Sequence, residues 1–242
     1  MQNIIIGKGL LAKACLNSQA KNCLFYCSGV SDSTETKVIE FERERNLLIN
    51  SISSNNNKCL IYFSSVSAPS GQNPYFQHKL NMENIIKENC PDYIILRLPR
   101  VAGPVLNSTL LSVLTKKIYL NEHLTVFDKA VRNLVDVEDI IEVSDYICKI
   151  SNRNITINIC PNRSFKPEEL VLLIAGQLKS KLLNYDLVDA GDIESCILGY
   201  SPEELIVRNY FSQKENYLEN IVAKYVPEIV SLIESYSQSE IK

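Results

Sequence analysis

Residues 4–12 read Ile-Ile-Ile-Gly-Lys-Gly-Leu-Leu-Ala, a short apolar run and a G-x-G-x-x-A element that opens a helical stretch. A strand, a glycine turn and a helix in this order are typical of dinucleotide-binding proteins. The glycines permit a tight turn and let a pyrophosphate approach the N–H groups of the helix N-terminus. We expect the cofactor contacts of this turn to be Gly7, Lys8, Gly9, Leu10 and Leu11. A tight turn without a ligand is the alternative interpretation.

Strands and helices alternate through the first hundred residues. Continuous apolar runs predict buried strands of a parallel sheet at 3–6, 23–27, 59–63 and 93–96. Helical spacing predicts helices at 10–20, about 35–51 and 76–89. The sequence therefore predicts an α/β fold, a Rossmann-like parallel sheet flanked by helices.

The second half predicts a smaller, mixed α/β part interleaved with this core. Short strands are expected at 124–127 and 155–159, and helices at about 136–150, after Pro167 and after Pro202. The amphipathic tail at 214–236 is predicted to be broken at Pro227. We place the dinucleotide-binding core at 1–118 and the substrate-binding, helical C-terminal part at 119–242.

Composition excludes several classes of function. The net charge is −3 and no basic stripe stands out, which argues against a nucleic-acid partner. No segment approaches the roughly 20 apolar residues of a membrane span, and no signal-peptide pattern opens the chain, so we expect a cytoplasmic protein. The eight cysteines lack zinc-site spacing, and we interpret them as small core residues in a reducing compartment, without a metal.

A second motif points to proton transfer. Ser64-Ser65 ends a predicted strand, and Tyr75 and Lys79 then form a Y-x-x-x-K pair. Residues i and i+4 share one helix face, so the Lys charge can favour ionisation of the phenol, which can then exchange a proton. A chance pair on a surface helix is the alternative, but the order of strand, Ser-Ser, helix and strand makes chance a poorer explanation.

These segments resemble the extended (atypical) short-chain dehydrogenase/reductases, the NAD-dependent epimerase/dehydratase type that acts on nucleotide sugars. The resemblance lies in residues 61–65, 75–79, 96–104 and 131–139, the last being similar to the family's R-x-x-x-x-V-x-D stretch. It implies a nicotinamide cofactor, NAD or NADP, a nucleotide-sugar substrate, and a place in surface polysaccharide synthesis. A homodimer is also implied.

The resemblance also implies roles for single residues. Ser65, Tyr75 and Lys79 would be catalytic, and Lys79 would also bind the nicotinamide ribose. Further cofactor contacts would be Ser28, Gly29, Ser64, Leu98, Pro99 and Val101, and substrate contacts would be Arg100 and Arg132. For Arg132, a surface salt bridge with Asp136 or Glu138 is the alternative.

The chain is short between the glycine turn and Ser65. Residues 25–30 resemble the family's later strand, which implies that the second and third strands are missing and that the first lies at or near a sheet edge. Those strands normally carry the adenosine half of the site. A non-catalytic ligand-binding or regulatory protein on the same fold is therefore the alternative to an enzyme, and a βα domain without a ligand is a third.

Overall fold

The computed structural model describes residues 2–150, 153–180, 183–194 and 196–239. Within them, five parallel strands form the main sheet in the order β1-β2-β3-β4-β8. These strands are β1 (Ile4–Ile6), β2 (Cys23–Tyr26), β3 (Cys59–Ser65), β4 (Tyr93–Leu98) and β8 (Ile155–Asn158). The predicted Rossmann-like parallel sheet is confirmed, and β1 lies at its edge, as the shortened sequence predicts.

Helices cover both faces of this sheet. They are α1 (Leu10–Cys15), α2 (Val38–Ser54), α3 (Pro74–Asn89) and α5 (Val137–Ile150). Leu24, Leu60 and Ile95 pack with Leu48 of α2 and Ile86 of α3 on one face. The opposite face carries α1 and α5, which pack against each other.

The β1–α1–β2 connection is unusual in its hand. The chain moves in one direction across the sheet from β1 to β4, yet α1 covers the opposite face from α2 and α3. Two crossovers that move in the same direction on opposite faces have opposite hands. Nearly all such connections are right-handed, so this one departs from the pattern that α2 and α3 share.

The remaining elements include two small sheets and four helices. Strands β5 (Arg100–Ala102) and β7 (Leu134–Asp136) pair in parallel, as do β6 (Leu124–Phe127) and β9 (Tyr185–Val188). The helices are α4 (Leu110–Tyr119), α6 (Pro167–Leu178), α7 (Pro202–Ser212) and α8 (Tyr217–Ser239). A second core forms where α4, α6 and α8 pack together.

The chain divides into two compact units that interleave in sequence. Unit 1 comprises Met1–Pro99, Val137–Cys160 and Ser195–Tyr210, and unit 2 comprises Arg100–Asp136, Pro161–Glu194 and Phe211–Lys242. These units are not divided at residue 118. Which part binds cofactor and which binds substrate stays a prediction.

Three expectations need correction. Helix α1 ends at Cys15 and not near Ala20, because Asp145 of α5 accepts hydrogen bonds from Ser18 Oγ and from the next two backbone N–H groups. Pro227 does not break the C-terminal helix, since α8 runs through it. Cys160 and Cys196 form a disulfide, so the interpretation of the cysteines as small core thiols is wrong for these two.

None of the described helices is long and apolar enough to cross a bilayer.

Candidate active site

The carboxyl ends of the parallel strands β1, β2 and β3 lie side by side at the C-terminal edge of the sheet, and the predicted motifs lie there too. Gly7 follows β1, the segment 27–30 follows β2, and Ser65 ends β3. Ligands of open α/β sheets bind outside the carboxyl ends of the strands. The C-terminal edge of the main sheet in unit 1 is therefore the candidate site.

Gly7 makes the turn into α1. Its φ of +128° suits glycine, and an added Cβ would lie 2.6 Å from the carbonyl oxygen of Cys27. Gly9 differs, because a Cβ there would meet nothing within 4 Å. The turn thus requires Gly7 for its own packing, while Gly9 leaves its backbone open to close approach.

Helix α3 carries Tyr75 and Lys79 on successive turns. The helix begins at Pro74, and the side chain of Asn73 caps it by accepting a hydrogen bond from the Phe76 N–H at 2.8 Å. Tyr75 is 8% and Lys79 3% exposed, and the Lys79 Nζ lies 5.7 Å from the centroid of the Tyr75 ring. The structure brings these two predicted residues together.

Glu44 of α2 is the principal partner of Lys79, and it belongs to none of the predicted motifs. Its side chain is 0% exposed, and its Oε1 lies 3.1 Å from Lys79 Nζ. Tyr62 donates to the same oxygen at 2.7 Å. The other oxygen accepts from the Val30 N–H at 2.6 Å and lies 3.0 Å from His78 Nε2.

This environment keeps Glu44 ionised. Burial alone raises the pKa of a carboxyl, but the Lys79 ammonium and the hydrogen bonds from His78, Tyr62 and Val30 outweigh it. The pKa of Glu44 therefore lies well below its usual value. Burial and the Glu44 carboxylate raise the pKa of Tyr62, which stays a neutral donor.

Gly29 permits this packing. A Cβ at Gly29 would lie 2.6 Å from Lys79 Nζ and 2.9 Å from Glu44 Oε1. The predicted Ser28-Gly29 segment therefore lies directly beside Lys79. Ser28 accepts a hydrogen bond from Arg43 through its backbone oxygen.

The two serines at the end of β3 face different partners. Ser64 Oγ donates to Glu83 of α3 at 2.7 Å, and Arg97 forms a bidentate ion pair with the same carboxylate. Ser65 Oγ accepts a hydrogen bond from the Ser67 N–H at 3.2 Å. Ser64 thus bonds to α3, whereas Ser65 bonds to the backbone that follows β3.

Other predicted residues extend from the end of β4 into unit 2. Leu98 and Pro99 are buried in unit 1, and Leu98 accepts a hydrogen bond from the Val66 N–H through its carbonyl. Arg100 and Val101 lie on β5 of unit 2 and are half-buried.

Arg132 of unit 2 has a different ion-pair partner from the ones expected. Its guanidinium binds the Asp192 carboxylate at 2.6 Å and the Asp192 carbonyl at 2.6 Å, so a salt bridge with Asp136 or Glu138 is not its main contact. Asp136 instead pairs with Lys224 at 2.9 Å. Burial raises the pKa of Asp192, but Arg132 and Arg100 outweigh it and lower that pKa.

Glu44 was not predicted as a site residue because it lies in a charged helical segment. Residues 42–45 are all charged, and such runs usually form a solvated face. One signal was present, because Glu44, Leu48 and Ile52 are spaced four residues apart and fall on the buried face of α2.

Comparison with known proteins agrees with this fold. Residues 50–160 match the model of the NAD dependent epimerase/dehydratase family. This match confirms the predicted resemblance to the NAD-dependent epimerase/dehydratase type. No curated protein sequence matches the chain.

Solved structures show the same fold at low identity. RMD from Pseudomonas aeruginosa, complexed with NADPH, has a TM-score of 0.75 at 14% identity over 96% of this chain and 99% of that one. UDP-glucose 4-epimerase from Thermus thermophilus, complexed with NAD, has a TM-score of 0.68 at 16% identity over 86% and 77%. UDP-N-acetylglucosamine 4-epimerase from Methanobrevibacter ruminantium, complexed with UDP-N-acetylmuramic acid, has 0.69 at 19% over 90% and 82%.

Proposed function

We propose that this protein is a cytoplasmic, nicotinamide-dependent enzyme that reduces, epimerises or dehydrates a nucleotide-linked sugar for surface polysaccharide synthesis, as a homodimer. The observation that carries the proposal is the placement of Tyr75 and Lys79, with the ammonium 5.7 Å from the centre of the phenol ring. The NAD dependence in the family description, and the NAD and NADPH in two similar structures, support the choice of cofactor.

In this proposal Tyr75 exchanges a proton with the substrate oxygen, while the Ser65 hydroxyl hydrogen-bonds the same oxygen. The nicotinamide, when bound, accepts or supplies the hydride. Among the described residues, Lys79 Nζ donates to both oxygens of Glu44, at 3.1 and 3.5 Å, and to the Tyr62 hydroxyl at 3.3 Å. An ammonium has three N–H donors, so a ribose hydroxyl would replace the longest of these contacts.

The residues present fit only part of a dinucleotide. The open space at Gly9 leaves room for a pyrophosphate beside the turn, and Lys79 can hold the nicotinamide ribose. Beyond β1, however, the described residues provide no further strand of the main sheet to form an adenosine pocket. We therefore assign the chain's contacts to the nicotinamide half of the cofactor and to the pyrophosphate.

For the substrate we propose Arg100 and Arg132 as the groups that bind the nucleotide diphosphate. Arg132 already binds a carboxylate, Asp192, and the same guanidinium geometry suits phosphate oxygens. A diphosphate would take the place of Asp192 on Arg132.

The second candidate is a non-catalytic ligand-binding or regulatory protein on this fold. Two observations favour it: β1 is the sheet edge, and Lys79 is almost wholly buried with a carboxylate beside it. It predicts no binding of an intact dinucleotide.

Calorimetric titration with NAD+, NADH, NADP+ and NADPH tests the proposal. Binding of any of the four at micromolar concentration would support the enzyme, and the same titration would choose between the phosphorylated and unphosphorylated cofactor. Absence of binding by all four would favour the non-catalytic protein.

A pair of glycine variants distinguishes dinucleotide binding at the glycine turn from nonspecific binding. A Cβ meets nothing within 4 Å at Gly9 or at Gly176 of α6, so both alanine variants should fold. Gly9→Ala should weaken dinucleotide binding at least tenfold, because its methyl group occupies the space proposed for the pyrophosphate, and Gly176→Ala should not. Equal affinities in the two variants would contradict the assigned turn.

A further inference from the structure

Lys79 has a dedicated counter-ion inside the protein. We propose that Glu44 is a positioning residue that fixes the Lys79 ammonium beside Tyr75 and compensates its charge. In this way Glu44 sets the pH at which the Tyr75 phenol exchanges its proton. The inference rests on the proposed role of Tyr75 as the acid/base. It adds Glu44 of α2 to the site that Tyr75 and Lys79 of α3 form.

The geometry holds Glu44 in one orientation. Four residues hold its oxygens: Oε1 faces Tyr62 and Lys79, and Oε2 faces the Val30 N–H and His78 and lies 3.5 Å from Lys79 Nζ. The His78 ring stacks on Phe41 at 4.6 Å, which fixes that partner in turn. A carboxylate held at four points cannot rotate away from the ammonium, so the ion pair has a defined direction.

The charge of the pair matters for Tyr75. A lone ammonium near a phenol favours the phenolate, because an opposite charge stabilises the ionised form. A carboxylate 3.1 Å from that ammonium cancels much of its field. Lys79 in this protein therefore acts on Tyr75 as one end of a neutral pair and not as an isolated positive charge.

Among the residues that the structure describes, the other titratable groups that contact the pair are phenols and an imidazole. Tyr26 of β2 donates to the Glu44 carbonyl, Tyr62 of β3 donates to the carboxylate, and His78 and Tyr75 come from α3. On α2 itself, Arg43 is exposed and pairs with Glu40. Among the described residues, Glu44 is thus the carboxylate in contact with Lys79.

The test is a pH titration of ligand-free protein labelled with [13Cζ]tyrosine, followed by NMR, with Tyr75→Phe identifying the Tyr75 signal. Glu44→Gln should move the Tyr75 midpoint to lower pH by about one unit, a tenfold change in proton affinity. Glu44→Gln/Lys79→Met, which removes both charges, should bring the midpoint back toward that of the wild type.

Asp145→Asn is the matched control. Asp145 is also a buried carboxylate that accepts three hydrogen bonds, but from Ser18 and the two residues that follow it. Its amide variant should leave the Tyr75 midpoint in place. An unchanged or raised midpoint in Glu44→Gln, or an equal shift in Asp145→Asn, would overturn the proposal.

If Glu44→Gln does not fold, Glu44→Asp replaces it, because the shorter carboxylate keeps the charge but retreats from Lys79. The midpoint should then move in the same direction by a smaller amount, and an unchanged midpoint would again overturn the proposal. The titration needs no cofactor. A protein that binds no dinucleotide but shows the shift would refute the proposed function and leave the role of Glu44 intact.

Discussion

At the scale of single residues, the charges of Lys79 and Glu44 have to be removed together if the protein is to stay stable. Lys79→Ala would leave the fully buried Glu44 without its ammonium, and breaking a buried pair costs about 3–5 kcal/mol. Lys79→Met/Glu44→Gln keeps the volume without the charges and should cost much less. Urea unfolding of both variants measures the difference, and equal losses would show that the pair is not coupled.

Glu44 should also make the protein sensitive to acid. Its pKa in the folded state lies below its ordinary value of 4.5, so its stabilising effect is complete above that pH and is lost as the pH falls below it. The wild type should therefore lose more free energy of unfolding than Glu44→Gln between neutral pH and about pH 3. Parallel losses in chemical denaturation at the two pH values would contradict this.

Tyr75→Phe separates chemistry from structure. It removes one hydroxyl from a residue that is 8% exposed and leaves the ring that packs near Phe76 and Lys79. Turnover of the nucleotide sugar should fall by roughly 10²- to 10⁴-fold, the usual contribution of a positioned acid/base. Circular dichroism should show an unchanged fold, and retained turnover would refute the assigned mechanism.

At the scale of secondary-structure elements, helix α8 continues through an exposed proline, Pro227, which makes the helix less stable than it could be. Pro227 cannot donate a backbone hydrogen bond, yet Tyr225, Val226 and Ile229 around it are fully buried. Burial of this apolar face outweighs the cost, which explains why the helix continues. Pro227→Ala should raise the free energy of unfolding by about 1–3 kcal/mol, whereas Glu228→Ala, its exposed neighbour, should change it little. A lower melting temperature for Pro227→Ala would contradict this.

The elements of unit 1 could be predicted because their apolar runs are continuous. Strands β2, β3 and β4 are buried on both faces, and this leaves a clear record in the sequence. Strands β5 and β7 have three residues each, too few for a period to emerge, and Pro99 marked the end of β4 without revealing β5.

The parts of the site that escaped prediction depend on tertiary packing. Tyr75 and Lys79 could be predicted because a helix places i and i+4 on one face. Glu44 could not, since its partners come from β3, α3 and the segment after β2, which are brought together only by the fold. The disulfide between Cys160 and Cys196 escaped for a similar reason, because spacing alone does not define a pairing across 36 residues.

At the scale of the whole molecule, the order of the sheet limits what the protein can bind. In doubly wound sheets the ligand lies where the strand order reverses, with protein on both sides of that point. Here the order β1-β2-β3-β4-β8 runs without a reversal, and β1 forms the edge. The glycine turn thus has the carboxyl end of β2 on one side, and on the other side the described part of the main sheet ends.

This asymmetry predicts how affinity divides between the two halves of the cofactor. In the proposed function, Lys79 contacts the nicotinamide ribose, while an adenosine would lie beyond the edge strand. Reduced nicotinamide mononucleotide should therefore bind within about tenfold of NADH, a difference of about 1.4 kcal/mol, and AMP should not displace NADH. Competition calorimetry measures both. If AMP or ADP-ribose displaced NADH while the mononucleotide did not, the adenosine half would have a pocket that the main sheet does not supply, and the missing strands would not account for cofactor affinity.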